Sequence, residues 1–227
     1  MSEAAPSAAE TTPSGAMIRA LGIAATICGL IIVSAYEGSL DAVARNKKIA
    51  TERAVFSVIP GATSVREFVA TSAGIVPAGP TLPEGGVKFF GAYDRAGTLK
   101  GIAAEAVAKG YADEVRVLYA YDPEKQVIIG LGVVSLHETP GIGDKVRTDR
   151  DFLKNFVALD AHLTADMKAV ANAIKVVKHG TKQHGWEIDA ISGSTVTSKA
   201  VGKGIRDSTA ALLPKLLPFV GKLMEGK

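Results

Sequence analysis

The chain has 227 residues, with 26 Lys and Arg against 23 Asp and Glu and a formal net charge of +3. No dense basic run appears, so nucleic-acid binding has no support. The single cysteine, Cys28, excludes an internal disulfide and any multi-cysteine metal or iron–sulfur site, so redox chemistry here requires a bound cofactor.

Residues 1–16, mostly Ala, Ser, Thr and Pro, lack apolar periodicity and read as a disordered tail. Residues 17–36, MIRALGIAATICGLIIVSAY, follow, with 17 uncharged residues between Arg19 and Glu37. This run predicts one transmembrane anchor, lengthened by a snorkelling Arg19 and ending on Tyr36 at the interface. Cys28 within it reads as a small packed hydrophobe. Val33-Ser34-Ala35 would pass as a signal-peptide cleavage site, but the apolar segment is long for a signal peptide and favours an uncleaved anchor. Arg45, Lys47, Lys48 and Arg53 follow the span while only Arg19 precedes it. By the positive-inside rule that excess points the C-terminal part to the cytoplasm.

Residues 37–85 read as a linker helix and loop. Leu40, Val43, Ala50, Ala54, Val55 and Val58 recur at three- and four-residue steps and predict a helix over 39–59, stopped by Pro60-Gly61. Residues 67–70 read as a short turn and the Pro- and Gly-rich 73–86 as a loop. The main domain is expected over 86–210. It opens with a hairpin, 87–93 and 98–104 around Asp94–Gly97, and a second, 111–121 and 126–135 around Asp122–Lys125. Val127–Val134 is nearly all apolar and predicts a central strand buried on both faces. Residues 151–159 suggest a short helix, 163–173 lean to helix, 174–177 to a strand, 180–185 to a polar turn and 186–191 to a last strand. A helix is expected from Thr195 to about Met224, kinked or broken at Pro214 and Pro218. Its end, residues 211–227, is an apolar helical tail too short to span a bilayer, suited to packing on the domain, lying on the membrane or covering a partner. The expected fold class is α+β: an antiparallel-rich sheet with packed helices, preceded by one transmembrane helix.

Two stretches carry chemistry. Asp189–Ser198, DAISGSTVTS, gathers hydroxyls around Gly193 just ahead of a long helical run. A helix N-terminus presents unpaired N–H groups and the positive end of the dipole, which favour a phosphate, and glycine permits close approach. The plainer reading is a Ser/Thr-rich helix cap. Lys199, one turn on, is placed to pair with such a phosphate or simply to face solvent. The other stretch is His137–Asp144, HETPGIGD, where a Pro and two glycines end a strand. Loops at strand exits commonly bind ligands, although a tight turn alone would also explain it. His137, His179 and His184 read as non-ligands, so no metal site is expected. His137 and Glu138 are adjacent on an extended strand and point to opposite faces, and the other two sit in the polar turn.

Together these stretches resemble a known family. DAISGST is similar to the flavinylation motif D-x-x-(S/T)-G-A-T, and HETPGIGD to an E-T-P-G-(hydrophobic)-G loop. Both occur in that order in the FMN-binding domain shared by the G subunit of the Rnf electron-transport complex and the C subunit of the sodium-pumping NADH:quinone oxidoreductase. The resemblance covers about residues 17–210 and is closer to the Rnf branch. It implies FMN held covalently, its phosphate esterified to Thr195 by a flavin transferase that uses FAD and a divalent metal. It further implies that Asp189, Ser192, Gly193 and Ser194 form the setting of that bond, and that Glu138, Thr139, Gly141, Ile142 and Gly143 contact the flavin, with Leu136 against the ring. Ser194 departs from the family's alanine and, with Thr197, adds alternative acceptors beside Thr195. Asp189 would help hold metal or orient the hydroxyl, or else cap its turn. Trp186 is a core residue or a stacking partner for the flavin.

The implied function is a membrane-anchored electron-transfer subunit, relaying electrons among other membrane subunits of an ion-translocating complex. The chain has no Gly-rich nucleotide fingerprint or Walker sequence and is not expected to oxidise NADH alone. The family's flavin domain lies on the outer face of the bacterial inner membrane. That opposes the charge count, and it is taken as the expectation because the charge bias is small. The alternatives are a non-redox envelope binding protein anchored in the lipid, and a free-standing periplasmic flavin reductase.

Overall fold

The computed structural model describes residues 14–224; most of the tail expected over 1–16 lies outside them. Contacts divide the chain into two units, residues 1–48 and 49–227. Helix α1 runs over Ser14–Val58. In the first unit its apolar side chains, among them Ile18, Leu21, Leu30, Ile32 and Tyr36, are exposed. An 18-residue window has mean hydropathy 2.2, so this helix is long and apolar enough to cross a membrane. Thr26 Oγ1 donates to Gly22 O at 2.8 Å, which satisfies the hydroxyl inside the apolar run. The anchor and the helix expected over 39–59 are thus one element. Only Glu37 and Gly38 lie between them, and a single helical glycine costs about 1 kcal/mol, too little to stop a long helix.

The second unit is built on a seven-stranded antiparallel sheet in the order β2-β1-β3-β4-β5-β6-β7. The strands are β1 Ser64–Thr71, β2 Gly74–Pro77, β3 Val87–Tyr93, β4 Leu99–Lys109, β5 Glu114–Asp122, β6 Val127–Leu136 and β7 Leu159–Asp160. Short helices α2 (Lys145–Thr148) and α3 (Arg150–Lys154) precede β7. A separate parallel pair joins β8 (Lys175–Val177) to β9 (Glu187–Asp189). Helix α4 (Thr195–Leu216) packs chiefly on β4, and a 3-10 turn (Leu217–Phe219) and α5 (Gly221–Met224) complete the described chain.

Alternation along β5 shows how the sheet feeds two cores. Val115, Val117, Tyr119 and Tyr121 enter the large core with Val201, Ile205, Leu212 and Leu213 of α4. Leu118 and Ala120 point the other way, into a smaller core with Val55 and Val58 from the last turns of α1. Tyr119, fully buried, shares a 3.1 Å hydrogen bond with Ser208 on α4. Burial pushes its phenol pKa well above the ordinary value.

Three local expectations are corrected. Residues 67–70 and part of 73–86 are strands β1 and β2: β1 pairs with β3 from Ser64↔Tyr93 to Ala70↔Val87. Arg66 and Glu67 break up its apolar alternation, and β3 supplies the missing half of the pattern. Strand β6 is not central. It pairs with β7 only at Val127 and Ile128, and most of it is half-buried. Its apolar run instead reflects two covered faces, with Leu131 and Val133 against the large core and Ile129 and Val134 against the small one. Residues 163–173 form no helix. Asp166 Oδ1 accepts from Thr164 Oγ1 at 2.6 Å and from Lys168 N at 3.3 Å, and Met167 takes φ 56°. This local turn chemistry outcompetes helix propensity. Of the three roles expected for the apolar C-terminal stretch, the structure shows packing on the domain, with Leu212, Leu213, Leu216, Leu217 and Leu223 in the large core.

Candidate functional site

The two motifs are built alike. In Thr139-Pro140-Gly141-Ile142 the Ile142 N–H donates to Thr139 O at 3.2 Å, with Gly141 at φ 76°. In Ile191-Ser192-Gly193-Ser194 the Ser194 N–H donates to Ile191 O at 3.0 Å, with Gly193 at φ 80°. Both follow the type II pattern, whose third position needs positive φ. A Cβ at either glycine would meet nothing within 4 Å, so the dihedral demands glycine here and crowding does not.

Across the sheet end these turns meet the β4–β5 connection. Tyr111, Glu138, Thr139, Ile142, Gly143 and residues 193–197 line a cleft of about 440 Å³, within the roughly 300–1,000 Å³ usual for small-molecule sites. Glu138 joins the walls. Its Oε1 accepts from the N–H groups of Ala112 (3.1 Å) and Asp113 (3.4 Å), and its Oε2 accepts from Thr197 Oγ1 at 3.0 Å. Gly110 and Gly143 let backbone close on that carboxylate, since a Cβ at either would run into the Glu138 side chain.

The hydroxyls at the start of α4 sort by exposure. Ser198 is fully buried, its Oγ donating to Ser194 O at 2.9 Å and accepting from Ile191 N at 3.1 Å. Thr197 is buried and committed to Glu138, and Ser194 is buried at 3% exposure. Thr195, the first residue of α4, is exposed. Of the three expected acceptors, Ser194, Thr195 and Thr197, only Thr195 is accessible. Lys199 is exposed one turn further along.

Asp189 and Ser192 face elsewhere. They line a second cavity of about 380 Å³ with Lys145, Thr148, Asp149, Asp151, Phe152 and His179. Asp189 Oδ1 accepts from Gly180 N at 2.7 Å and its Oδ2 lies 3.5 Å from His179 Nδ1, the turn-capping role. Buried Asn155 holds the Asp189 backbone on both sides: its Nδ2 donates to Asp189 O at 3.2 Å and to Phe152 O at 2.9 Å, while its Oδ1 accepts from Asp189 N at 3.0 Å and Lys182 Nζ at 3.1 Å. Both amide protons and both oxygen lone pairs are used. Trp186 stacks on His184, ring centroids 4.5 Å apart, and Leu136 packs on the large core; neither lines the cleft. Among the described residues no three His, Cys, Asp or Glu side chains cluster as metal ligands.

Reading the residues did not single out Tyr111 or Val196 as site residues, yet both line the cleft, 73% and 52% exposed. The available signal was an aromatic placed beside Gly110, and an apolar residue between the hydroxyls of a helix start.

Comparisons with known proteins bear on what enters the cleft. The FMN-binding domain family model matches residues 110–210. The chain is 37% identical over 99 residues to the G subunit of the Na(+)-translocating ferredoxin:NAD(+) oxidoreductase complex of Acetobacterium woodii, covering 44% of this chain and 42% of that one. It is 36% identical over 103 residues to the G subunit of the proton-translocating ferredoxin:NAD(+) oxidoreductase complex of Clostridium ljungdahlii, covering 45% and 48%. These matches span about half of the relatives' length or less. The fold is shared with NqrC of Shewanella oneidensis, at TM-score 0.55 and 22% identity over 75% of this chain and 87% of that one. The cleft fits FMN on its own chemistry: Tyr111, Ile142 and Val196 offer exposed apolar surface to a flat ring, and the start of α4 offers donors and a hydroxyl to a phosphate. Over residues 110–210, then, the chain matches the FMN-binding domain family, and it is similar there to the G subunits of ion-translocating oxidoreductase complexes.

Proposed function

We propose that the chain is a membrane-anchored electron-transfer subunit that carries FMN through a phosphoester to Thr195. The observation that carries this reading is the exposure of Thr195 at the first position of α4, in one cleft with the Glu138–Gly143 loop. Attachment is a phosphoryl transfer. Thr195 Oγ1 forms a bond to the FMN phosphorus of FAD, the pyrophosphate bond breaks, AMP leaves, and the hydroxyl proton passes to a base supplied by a flavin transferase with its divalent metal. Thr197 and Ser198 are unsuited to the reaction because their hydroxyls are buried and already bonded.

Bound flavin supplies one- and two-electron redox chemistry that no side chain here offers. The protein positions it. The helix dipole favours the phosphodiester's charge at the start of α4 by roughly 0.3–1 kcal/mol, Lys199 adds a cation one turn on, and Tyr111, Ile142 and Val196 cover the ring. Glu138, already held by three donors, keeps the walls at fixed spacing. Residues 17–36 of α1 anchor the chain in the bacterial inner membrane, the flavin domain faces the periplasm, and the partners are other membrane subunits of an ion-translocating complex. The excess of Arg and Lys after the span argues for the opposite orientation; in a multi-subunit assembly so small a bias can be overridden.

The test is co-expression of the full chain with a flavin transferase, followed by in-gel flavin fluorescence after denaturation and mass spectrometry of the peptide spanning residues 183–199. FMN on Thr195 is the expected result. A denatured band without fluorescence, or FMN on Thr197, overturns the site.

A further inference from the structure

We infer that Ser194 Oγ is a hydrogen-bond donor to the phosphoryl group held at the start of α4, a contact that deepens the reading of Thr195 as the FMN attachment site and rests on it. Ser194 occupies the N-cap of the 22-residue α4. A serine there ordinarily accepts from the N–H two or three residues on. Here it makes no side-chain capping bond. Its Oγ is buried and has no hydrogen-bond partner among the described residues, while the residue lines the cleft.

Leaving a buried hydroxyl unpaired is costly, so such a group needs a reason. The neighbouring hydroxyls show that the local fold can satisfy its own: Thr197 reaches Glu138, and Ser198 bonds both Ser194 O and Ile191 N. Among the buried hydroxyls described in residues 192–198, only Ser194 Oγ is left over, and it adjoins the exposed Thr195. The helix's first N–H groups, which have no intrahelical acceptor, stand at the same place. A phosphoryl group esterified to Thr195 carries non-bridging anionic oxygens, the acceptors this O–H and these N–H groups lack. Ser194 Oγ acts as a positioning group for the phosphate.

The consequence is a change of sign between two forms of one protein. Without flavin the hydroxyl is an unpaired buried group, and Ser194→Ala removes a penalty. With flavin it is one half of a charge-assisted hydrogen bond, and the same substitution removes a gain. The full chain in detergent is prepared with and without a co-expressed flavin transferase, and melted by circular dichroism. In the flavin-free form Ser194→Ala leaves Tm unchanged or raises it by up to about 6 °C; in the loaded form it lowers Tm by about 3–8 °C. The 31P resonance of the loaded protein shifts on substitution. If Tm moves in the same direction by the same amount in both forms, with the 31P resonance unmoved, Ser194 does not touch the phosphoryl group, although FMN stays on Thr195. If mass spectrometry finds no FMN on wild-type Thr195, the attachment reading itself fails and the inference falls with it.

Discussion

One ten-residue stretch, Asp189–Ser198, borders two cavities of opposite chemistry. The cleft beyond Gly193 has an exposed apolar rim, and its one carboxylate, Glu138, is occupied by Ala112, Asp113 and Thr197. The cavity before Gly193 holds Asp149, Asp151 and Asp189 with Lys145 and His179. Lys154, 2.7 Å from Asp151, holds that carboxyl below its usual range, and Asp149 caps α3 through Phe152 N at 2.9 Å. Three carboxyl groups line that cavity and disfavour a phosphate there, whereas a helix N-terminus favours one in the cleft. A contiguous motif is thus divided by a single positive-φ residue into a half that braces the fold and a half that lines the cleft.

The largest effect expected from this division is at Thr195. Thr195→Ala abolishes covalent flavin, read as complete loss of in-gel fluorescence, while Thr195→Ser restores it. Thr197→Ala keeps the fluorescence but frees Glu138 Oε2. Fluorescence surviving in Thr195→Ala would move the ligand face to another hydroxyl. Next in size is Glu138. Glu138→Ala leaves two N–H groups and a hydroxyl without their acceptor and lowers stability by about 2–3 kcal/mol in urea unfolding. Glu138→Gln costs less, because its oxygen still accepts from Ala112 and Asp113 while its amide donates to Thr197 Oγ1. Equal costs for Ala and Gln would mean that these bonds do not hold the walls.

Asp189 tests the division most directly. As a brace, it loses about 1–2 kcal/mol on change to Ala, through the unpaired Gly180 N–H. In Asp189→Asn the amide oxygen takes over as acceptor, stability stays near wild type, and the FMN content with it. Wild-type stability with FMN abolished in Asp189→Asn would assign Asp189 a chemical part in attachment and dissolve the division.

The legibility of this chain follows the same line. The α+β class, the two hairpins, the apolar span and the helix after Thr195 were readable because alternation, turn residues and 3.6-residue periodicity are local signals. The two turns of the site were readable because Pro140-Gly141 and Gly193 mark them in one dimension. What each carboxylate does was not. Glu138 and Thr197 are 59 residues apart and meet only through the sheet's register and the docking of α4 on β4. Asp189 adjoins the acceptor stretch in sequence, yet its side chain turns to Gly180 because β9 pairs in parallel with β8. Strand β1 escaped for a related reason: its partner β3 begins 16 residues after it ends.

The last expected effect concerns Glu187, which supports only the bracing half. It is buried on β9, where it accepts from Gln183 N at 2.7 Å, Lys175 Nζ at 2.9 Å and His184 N at 3.1 Å. The backbone bond from Gln183 and then the Lys175 ammonium hold its carboxyl pKa down to about 2, against 4.5 for a free side chain. A carboxylate depressed in the folded state binds its proton more readily in the unfolded chain, so its stabilising contribution is complete above about pH 4.5 and disappears as pH falls towards about 2. In Glu187→Gln this contribution is absent at every pH. The gap in Tm between wild type and variant is therefore widest near neutrality and closes between pH 4.5 and 2, while the other carboxylates titrate alike in both proteins and cancel from the difference. Parallel curves through that interval would show that the Glu187 charge adds nothing to the brace. Since Glu187 faces the β8–β9 turn and not the cleft, FMN on Thr195 is unchanged in the variant at neutral pH; a loss of FMN there would show that the two halves are coupled through β9.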